Sequence, residues 1–340
     1  MGLYAGMDLH SGNTFIGIME KGSMRRVYQK RVHNDLPHIL YELEPFRKEL
    51  EGIVVESTYN WYWMVDGLMD AGYTCVHLAS PSAMKQYEGL KHVDDKHDAF
   101  WLAQMLSLGI LPEGYIYPRE ERPIRDLLRK RSYLVKQRTS NILSLQSLIE
   151  RQSGQRVKSN VLKKITEEDV AGLLREEHLV LAAMANVHTI RSFETQIRAI
   201  EQVVKGKARL RKEFACLLTV PGIGETLALT IMLEVGDINR FPKVGNFSSY
   251  CRCVSSTRLS NGKSKGKGNT KNGNRYLAWA FIEAANFARR YNIQLNRFYQ
   301  RKAVKKNGIV AIKALSNKLA RASYYVMRDQ VPFKEELLTP

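Results

Sequence analysis

Near residue 120 the spacing of apolar residues changes, and that change limits the folds open to the chain. Before it, short apolar runs of the strand type alternate with helical stretches. After it, only helical spacing persists over long segments. Residues 3–9 (LYAGMDL) and 14–20 (TFIGIME) read as two strands around a Ser11-Gly12-Asn13 turn, with a third strand near 25–32. A helix is predicted over 36–50, a strand over 52–58 that ends at Glu56, a helix over 60–71 and a strand over 73–79. A short helix from Pro81 and a helix over 96–108 follow. This β-β-β-α-β-α-β-α order predicts a mixed α/β sheet with helices on its faces.

Beyond 120, residues 122–150 and about 170–204 carry long amphipathic patterns, predicted to form an antiparallel helical hairpin or coiled coil. LLTVPGIGETLALTIMLEVG reads as helix, tight turn, helix, and two last helices are expected at about 275–291 and 308–328. Residues 257–275, rich in glycine and lysine, read as a flexible loop. The domain division expected is 1–118, 119–212 and 213–340.

The 52 Lys and Arg against 34 Asp and Glu give a net charge of +18. Such a field attracts polyanions, and nucleic acid is the expected partner because each neutralised phosphate releases counterions. From Arg122 to Lys158 ten basic residues face two acids. From 257 to 275 there are six basic residues and no acid. Cys75, Cys216, Cys251 and Cys253 have neither zinc-site spacing nor the number for a disulfide scaffold, which fits a reducing compartment. No leader pattern opens the sequence and no run of about 18 apolar residues occurs. A cytoplasmic protein of a bacterial or archaeal cell, with no membrane partner, is expected.

Four acids stand apart. Asp8 lies within an apolar strand, Glu56 ends another, and Asp95 and Asp98 share one face at the start of a helix. A carboxylate in an apolar strand is costly unless paired, and a divalent cation would pair several at once. Oxygen ligands suit Mg²⁺, with Mn²⁺ as an alternative. Asp95 and Asp98 could instead cap their helix, and Asp94 is a rival partner for Asp98. In the basic loop, Ser260 lies between Arg258 and Lys263. A serine needs activation to be a nucleophile, and cations would stabilise both its alkoxide and an attacked phosphate. VPGIG (220–224) could offer backbone N–H groups to a phosphate or serve as a plain turn.

The segments GMDLH (6–10), VVEST (54–58), Pro81 with Lys85, and DKHDAFWLA (95–103) resemble the N-terminal domain of DEDD-type insertion-sequence transposases. PGIG (221–224), GDINRF (236–241), Ser260-Asn261-Gly262-Lys263 and TKNGNRYL (270–277) follow in the order of the same family's C-terminal domain. The resemblance implies an α/β ribonuclease H-like domain, then a long helical hairpin or coiled coil. A mainly α domain with a helix-turn-helix-like PGIG segment would complete the chain. It further implies that Asp8, Glu56, Asp95 and Asp98 bind metal and that a serine attacks DNA to form a phosphoserine link. The family's serine is followed directly by glycine, whereas Asn261 intervenes here. Ser260 is the first candidate and Ser256 the second.

The expected function is therefore transposition or site-specific recombination of double-stranded DNA, with a structured guide RNA and a homo-oligomer (dimer or tetramer) as further partners. Nucleic acid would be held by Arg258, Lys263, Lys265, Lys267, Lys271 and Arg275, and by Arg129, Arg131, Lys136 and Arg138. The rival readings are a junction-resolving metal nuclease with no covalent step and a non-catalytic nucleic-acid-binding protein.

Overall fold

The first three predicted strands form in the computed structural model, which describes residues 2–84, 95–208, 211–254, 257–267 and 272–335. The chain divides into two units, Met1–Arg119 and Glu120–Pro340. In the first, β1 (Leu3–Leu9), β2 (Asn13–Glu20) and β3 (Arg26–His33) precede α1 (Leu36–Leu43), β4 (Leu50–Glu56), α2 (Tyr62–Asp70), β5 (Val76–Ala79), α3 (Pro81–Met84) and α4 (Asp95–Ser107). The sheet order is β3-β2-β1-β4-β5. β1, β2 and β3 pair antiparallel, whereas β1, β4 and β5 run parallel. The mixed sheet expected from the sequence is thus present. The helix predicted over 36–50 stops early, because Pro45 cannot donate into it and its ring crowds the preceding turn.

Two glycines decide how close α4 comes to the sheet. Gly6 and Gly17 are directly opposite in the β1–β2 register. A Cβ on Gly6 would stand 1.9 Å from the Ala99 carbonyl oxygen, and one on Gly17 would stand 3.2 Å from the Phe100 ring. The strands therefore offer α4 a bed without side chains, and its backbone lies on β1. On the other face Met7, Leu9, Ile16, Ile18, Ile53 and Val55 join α1 and α2 residues in the main core of this unit. Each such burial contributes roughly 1.5–3 kcal/mol.

The second unit contains α5 (Arg122–Ser153), α6 (Ser159–Leu162), α7 (Glu167–Leu173), α8 (Glu177–Ala208), α9 (Lys212–Leu218), α10 (Glu225–Val235) and α11 (Val244–Tyr250). After these come β6 (Thr257–Ser260), β7 (Lys263–Lys267), α12 (Arg275–Tyr291), α13 (Ile293–Lys305) and α14 (Gly308–Asp329). α5 and α8 pack antiparallel, as the pairs Arg131–Glu201 and Arg138–Glu194 show. The far end of this arm has its own small core, where Ile142, Leu145 and Ile149 meet Val187 and Ile190 and the α6–α7 residues Leu162 and Val170. The near end joins a larger core built from α9 to α14, including Leu217, Ile231, Phe247, Phe281 and Leu319.

One carboxylate sits inside this larger body. Glu234, 2% exposed, accepts from Arg125 Nε at 3.2 Å, Arg129 Nε at 2.6 Å and Asn274 Nδ2 at 2.7 Å. Burial pushes its carboxyl up, but the Arg129 hydrogen bond, the two guanidinium charges and Asn274 outweigh burial and hold it below the usual range.

Two predictions follow from this packing. Gly6→Ala should destabilise the chain by about 1–3 kcal/mol or more, since helix backbone cannot step aside; urea unfolding of the purified protein checks this, and an unchanged midpoint would refute it. Glu234→Ala should cost about 3–5 kcal/mol by leaving buried guanidinium charge uncompensated, read as a fall in thermal midpoint against Lys136→Ala as an exposed control.

Candidate functional site

β1 and β4 are parallel neighbours, with Met7 paired to Val55. The next residues are Asp8 and Glu56, so the register sets both carboxylates side by side at the carboxyl ends of adjacent strands. That end of a parallel sheet is where ligand sites form. Asp8 is 2% exposed and Glu56 half-buried, while Asp98 on α4 is exposed. Burial first, then a hydrogen bond to Asp8 and the charges of Asp8 and Asp98, together raise the Glu56 carboxyl to about 7 against a smaller opposing effect of His10. Two of the other three acids singled out in the sequence, Asp8 and Asp98, thus act on Glu56. Asp95 opens α4, and its side chain lies outside the described residues.

Sequence reasoning passed over His10. Its Nε2 stands 3.0 Å from Asp8 Oδ2, and the spacing of two along a strand, which returns a side chain to the same face, was the available signal. The loop carrying it is pinned, because the His10 carbonyl accepts from Asn34 Nδ2 at 2.9 Å and from Asn60 Nδ2 at 3.2 Å. Among the described residues, no group of three or more His, Cys, Asp or Glu side chains has the geometry to hold a metal ion.

The segment read as a flexible loop is different in kind. Thr257–Ser260 and Lys263–Lys267 pair as a hairpin, with Ser260 opposite Lys263. Asn261 (φ 50°) and Gly262 (φ 71°) both have positive φ, as a two-residue type I′ turn requires. The Asn that interrupts the expected Ser-Gly pair is one of the few residues that adopts this conformation readily. Lys263 and Lys265 are exposed, as is Arg275 in the first turn of α12. The side chains of Arg258, Ser260 and Lys267 lie outside the described residues, as do Ser256 and Lys271 altogether.

Both ends of this hairpin segment are tied down. Before it, Cys251 and Cys253 are buried. After it, the Asn274 amide donates to the Tyr250 carbonyl at 2.6 Å, and Arg252 Nη2 donates to the Gly273 carbonyl at 2.8 Å. Asn274 Oδ1 then caps α12 by accepting from the amides of Tyr276 and Leu277.

Three of the arginines expected to grip nucleic acid have carboxylate partners within their own unit. Arg129 pairs with Glu234, Arg131 with Glu201 and Arg138 with Glu194, while Lys136 is exposed. In the VPGIG turn, Gly222 (φ 85°) lies so close to α12 that a Cβ would meet the Ala284 oxygen at 2.2 Å. The turn therefore has a packing role. Beside it opens a cleft of about 700 Å³ lined by Pro221, Gly224, Trp279 and Phe287.

The raised Glu56 carboxyl sets a pH dependence. An unfolded glutamate ionises near 4.5 and the folded one near 7, so the native state is favoured at low pH and loses that advantage as pH rises through 7. In metal-free buffer Glu56→Gln should stabilise the chain by about 1–2 kcal/mol above pH 7, discounted for partial exposure, and by almost nothing near pH 4.5. Urea unfolding at the two pH values checks this; an equal effect at both would contradict it.

Comparison with known proteins fits both halves of this description. Residues 5–152 match the DEDD-type IS110 transposase family, described as "Transposase". Residues 215–300 match the "Transposase IS116/IS110/IS902 family". The transposase for insertion sequence element IS1111A of Coxiella burnetii (strain RSA 493 / Nine Mile phase I) is 25% identical over 213 residues, covering 61% of this chain and 58% of that relative. No helix among the described residues is long and apolar enough to cross a membrane. In order along the chain, two segments are thus similar to transposase domains of this kind.

Proposed function

We propose that this chain is a DNA recombinase of a mobile element, cutting and rejoining double-stranded DNA through a serine-linked intermediate. The observation that carries the reading is that Asp8 and Glu56 end parallel strands and that Asp8 and, from α4, Asp98 act on Glu56, within the residues that match a DEDD transposase. The donor set is all oxygen, and the Glu56 carboxyl is raised by burial first and then by the neighbouring Asp8 and Asp98, so a cation there would favour its ionised form. That chemistry fits a divalent cation, Mg²⁺ or Mn²⁺, on Asp8, Glu56, Asp98 and Asp95. When bound, such an ion would neutralise the carboxylates and polarise a scissile phosphate.

Ser260 is proposed as the nucleophile. Its Oγ would attack phosphorus and lose its proton, a P–O bond to a deoxyribose oxygen would break, and that oxygen would leave with a proton. The reverse step on a new DNA end would rejoin the strand and free the serine. What supports Ser260 over Ser256 is its place at the end of β6, where a two-residue turn sets its backbone opposite Lys263. Lys263 and Lys265 would meet phosphate oxygens. A structured guide RNA and a homo-oligomer belong to the same reading, supported by the family resemblance and the charge of +18.

Expression with native flanking DNA, denaturation, digestion and mass spectrometry should find a phosphonucleotide on Ser260. The adduct should be absent in Ser260→Ala and in Asp8→Ala. An adduct on Ser256 would correct the residue. Cleavage with no adduct would replace the recombinase by a hydrolytic nuclease. Sequencing of RNA that copurifies should return one structured species, and random cellular RNA would remove the guide.

A further inference from the structure

The most basic stretch of the chain extends well beyond the hairpin. From Ile238 to Arg328 there are 20 Lys and Arg and a single acid, Glu283. Nine of these basic residues lie from Arg297 onward, on α13, on α14 and between them. Arg125, Arg129, Arg131 and Arg138 of α5 have carboxylates to meet, but here no described carboxylate pairs with Arg297, Arg301, Lys302, Lys305 or Lys318. Two of them meet at one ring, with a third beside them. The Lys302 and Lys318 ammonium groups lie 5.9 and 5.1 Å from the Phe298 centroid, and Arg301 is close enough to Lys318 that its charge, after burial, lowers the lysine's proton affinity. Like charges gathered without an acid favour an incoming anion.

The shape of α13 narrows the partner. Its inner side is Leu295, Phe298 and Tyr299, packed on the core. Its outer side presents Asn296, Arg297, Gln300 and Arg301, all exposed, with Val304 87% exposed at the far end. Arg, Asn and Gln are the side chains that pair in bidentate fashion with guanine and adenine edges, and an apolar side chain suits the thymine methyl. A helix of 13 residues is about 20 Å long. The B-form major groove admits an α-helix, whereas the deep, narrow major groove of A-form RNA does not.

We propose that α13 is a docking helix for duplex DNA, entering the major groove with Asn296, Arg297, Gln300 and Arg301 while Lys302, Lys305 and Lys318 meet the flanking phosphates. The inference rests on the reading of the chain as a DNA recombinase and says where the duplex lies.

The test uses the full chain with Arg297→Ala, Arg301→Ala and Lys305→Ala combined. All three are exposed and have no acid partner among the described residues, so a thermal melt should match the wild type. Affinity is measured by fluorescence anisotropy across a salt series, for a short random-sequence DNA duplex and an RNA duplex of equal length. DNA affinity should fall about tenfold or more, with a log–log salt slope shallower by about 1 for the lost Lys305 phosphate contact. RNA affinity should stay within about twofold. Unchanged DNA binding would overturn the proposal, as would an equal loss for RNA or a loss for RNA alone. Arg301→Glu alone should weaken DNA more than Arg301→Ala, and equal effects would count against it. A chain that forms no serine adduct yet loses DNA affinity in the triple variant keeps the docking helix and loses the recombinase. An adduct with undiminished DNA binding does the reverse.

Discussion

The second unit depends on one buried carboxylate. Glu234 accepts from guanidinium groups on α5 and from the residue that caps α12, so three segments distant in sequence share a single charge. A buried carboxylate lacking any of these donors would be costly, and so would the guanidinium groups without it. The network is therefore satisfied only when α5, α10 and the start of α12 are all in place. Because Asn274 also caps α12 and its amide meets Tyr250, the chain leaving the hairpin is fixed at the point where it returns to the body.

Charge count alone does not distinguish a gripping arginine from a structural one. The ten basic residues from Arg122 to Lys158 invite a phosphate-binding reading, yet Arg125, Arg129, Arg131 and Arg138 meet Glu234, Glu201 and Glu194 on neighbouring helices. Those acids lie some 56 to 109 residues away in sequence, beyond the reach of any local pattern. The residues from Ile238 to Arg328 have almost no acids among them, so partners of that kind would have to come from elsewhere in the chain.

Much of the first unit was legible because its information is local. Apolar runs of the right length marked β1, β2 and β4, and the acids at their ends fell together once β1 and β4 paired in parallel. The tight seat of α4 was less visible, although a glycine inside a strand is the usual sign of close backbone approach. The hairpin was missed because glycine and lysine dominate its composition, while the Asn261-Gly262 pair that defines the turn looked like a break in a motif. α13 escaped for another reason. Asn292 both ends α12 and caps α13 by accepting from the Leu295 amide, so there is no loop to mark the boundary. A single buried leucine also leaves almost no apolar period to read.

The α5–α8 arm has unlike ends. Each helix has 32 residues, about 48 Å of rod. At its root α5 is bolted through Arg125 and Arg129 to the buried Glu234, whereas its tip closes on a separate small core with α6 and α7. Separate cores open separately. Amide exchange along the arm should therefore grade from slow at the root to faster at the tip, giving the rod a stiff base and a yielding end. Load applied at that end would be taken up there first, before it reached the body that holds the hairpin.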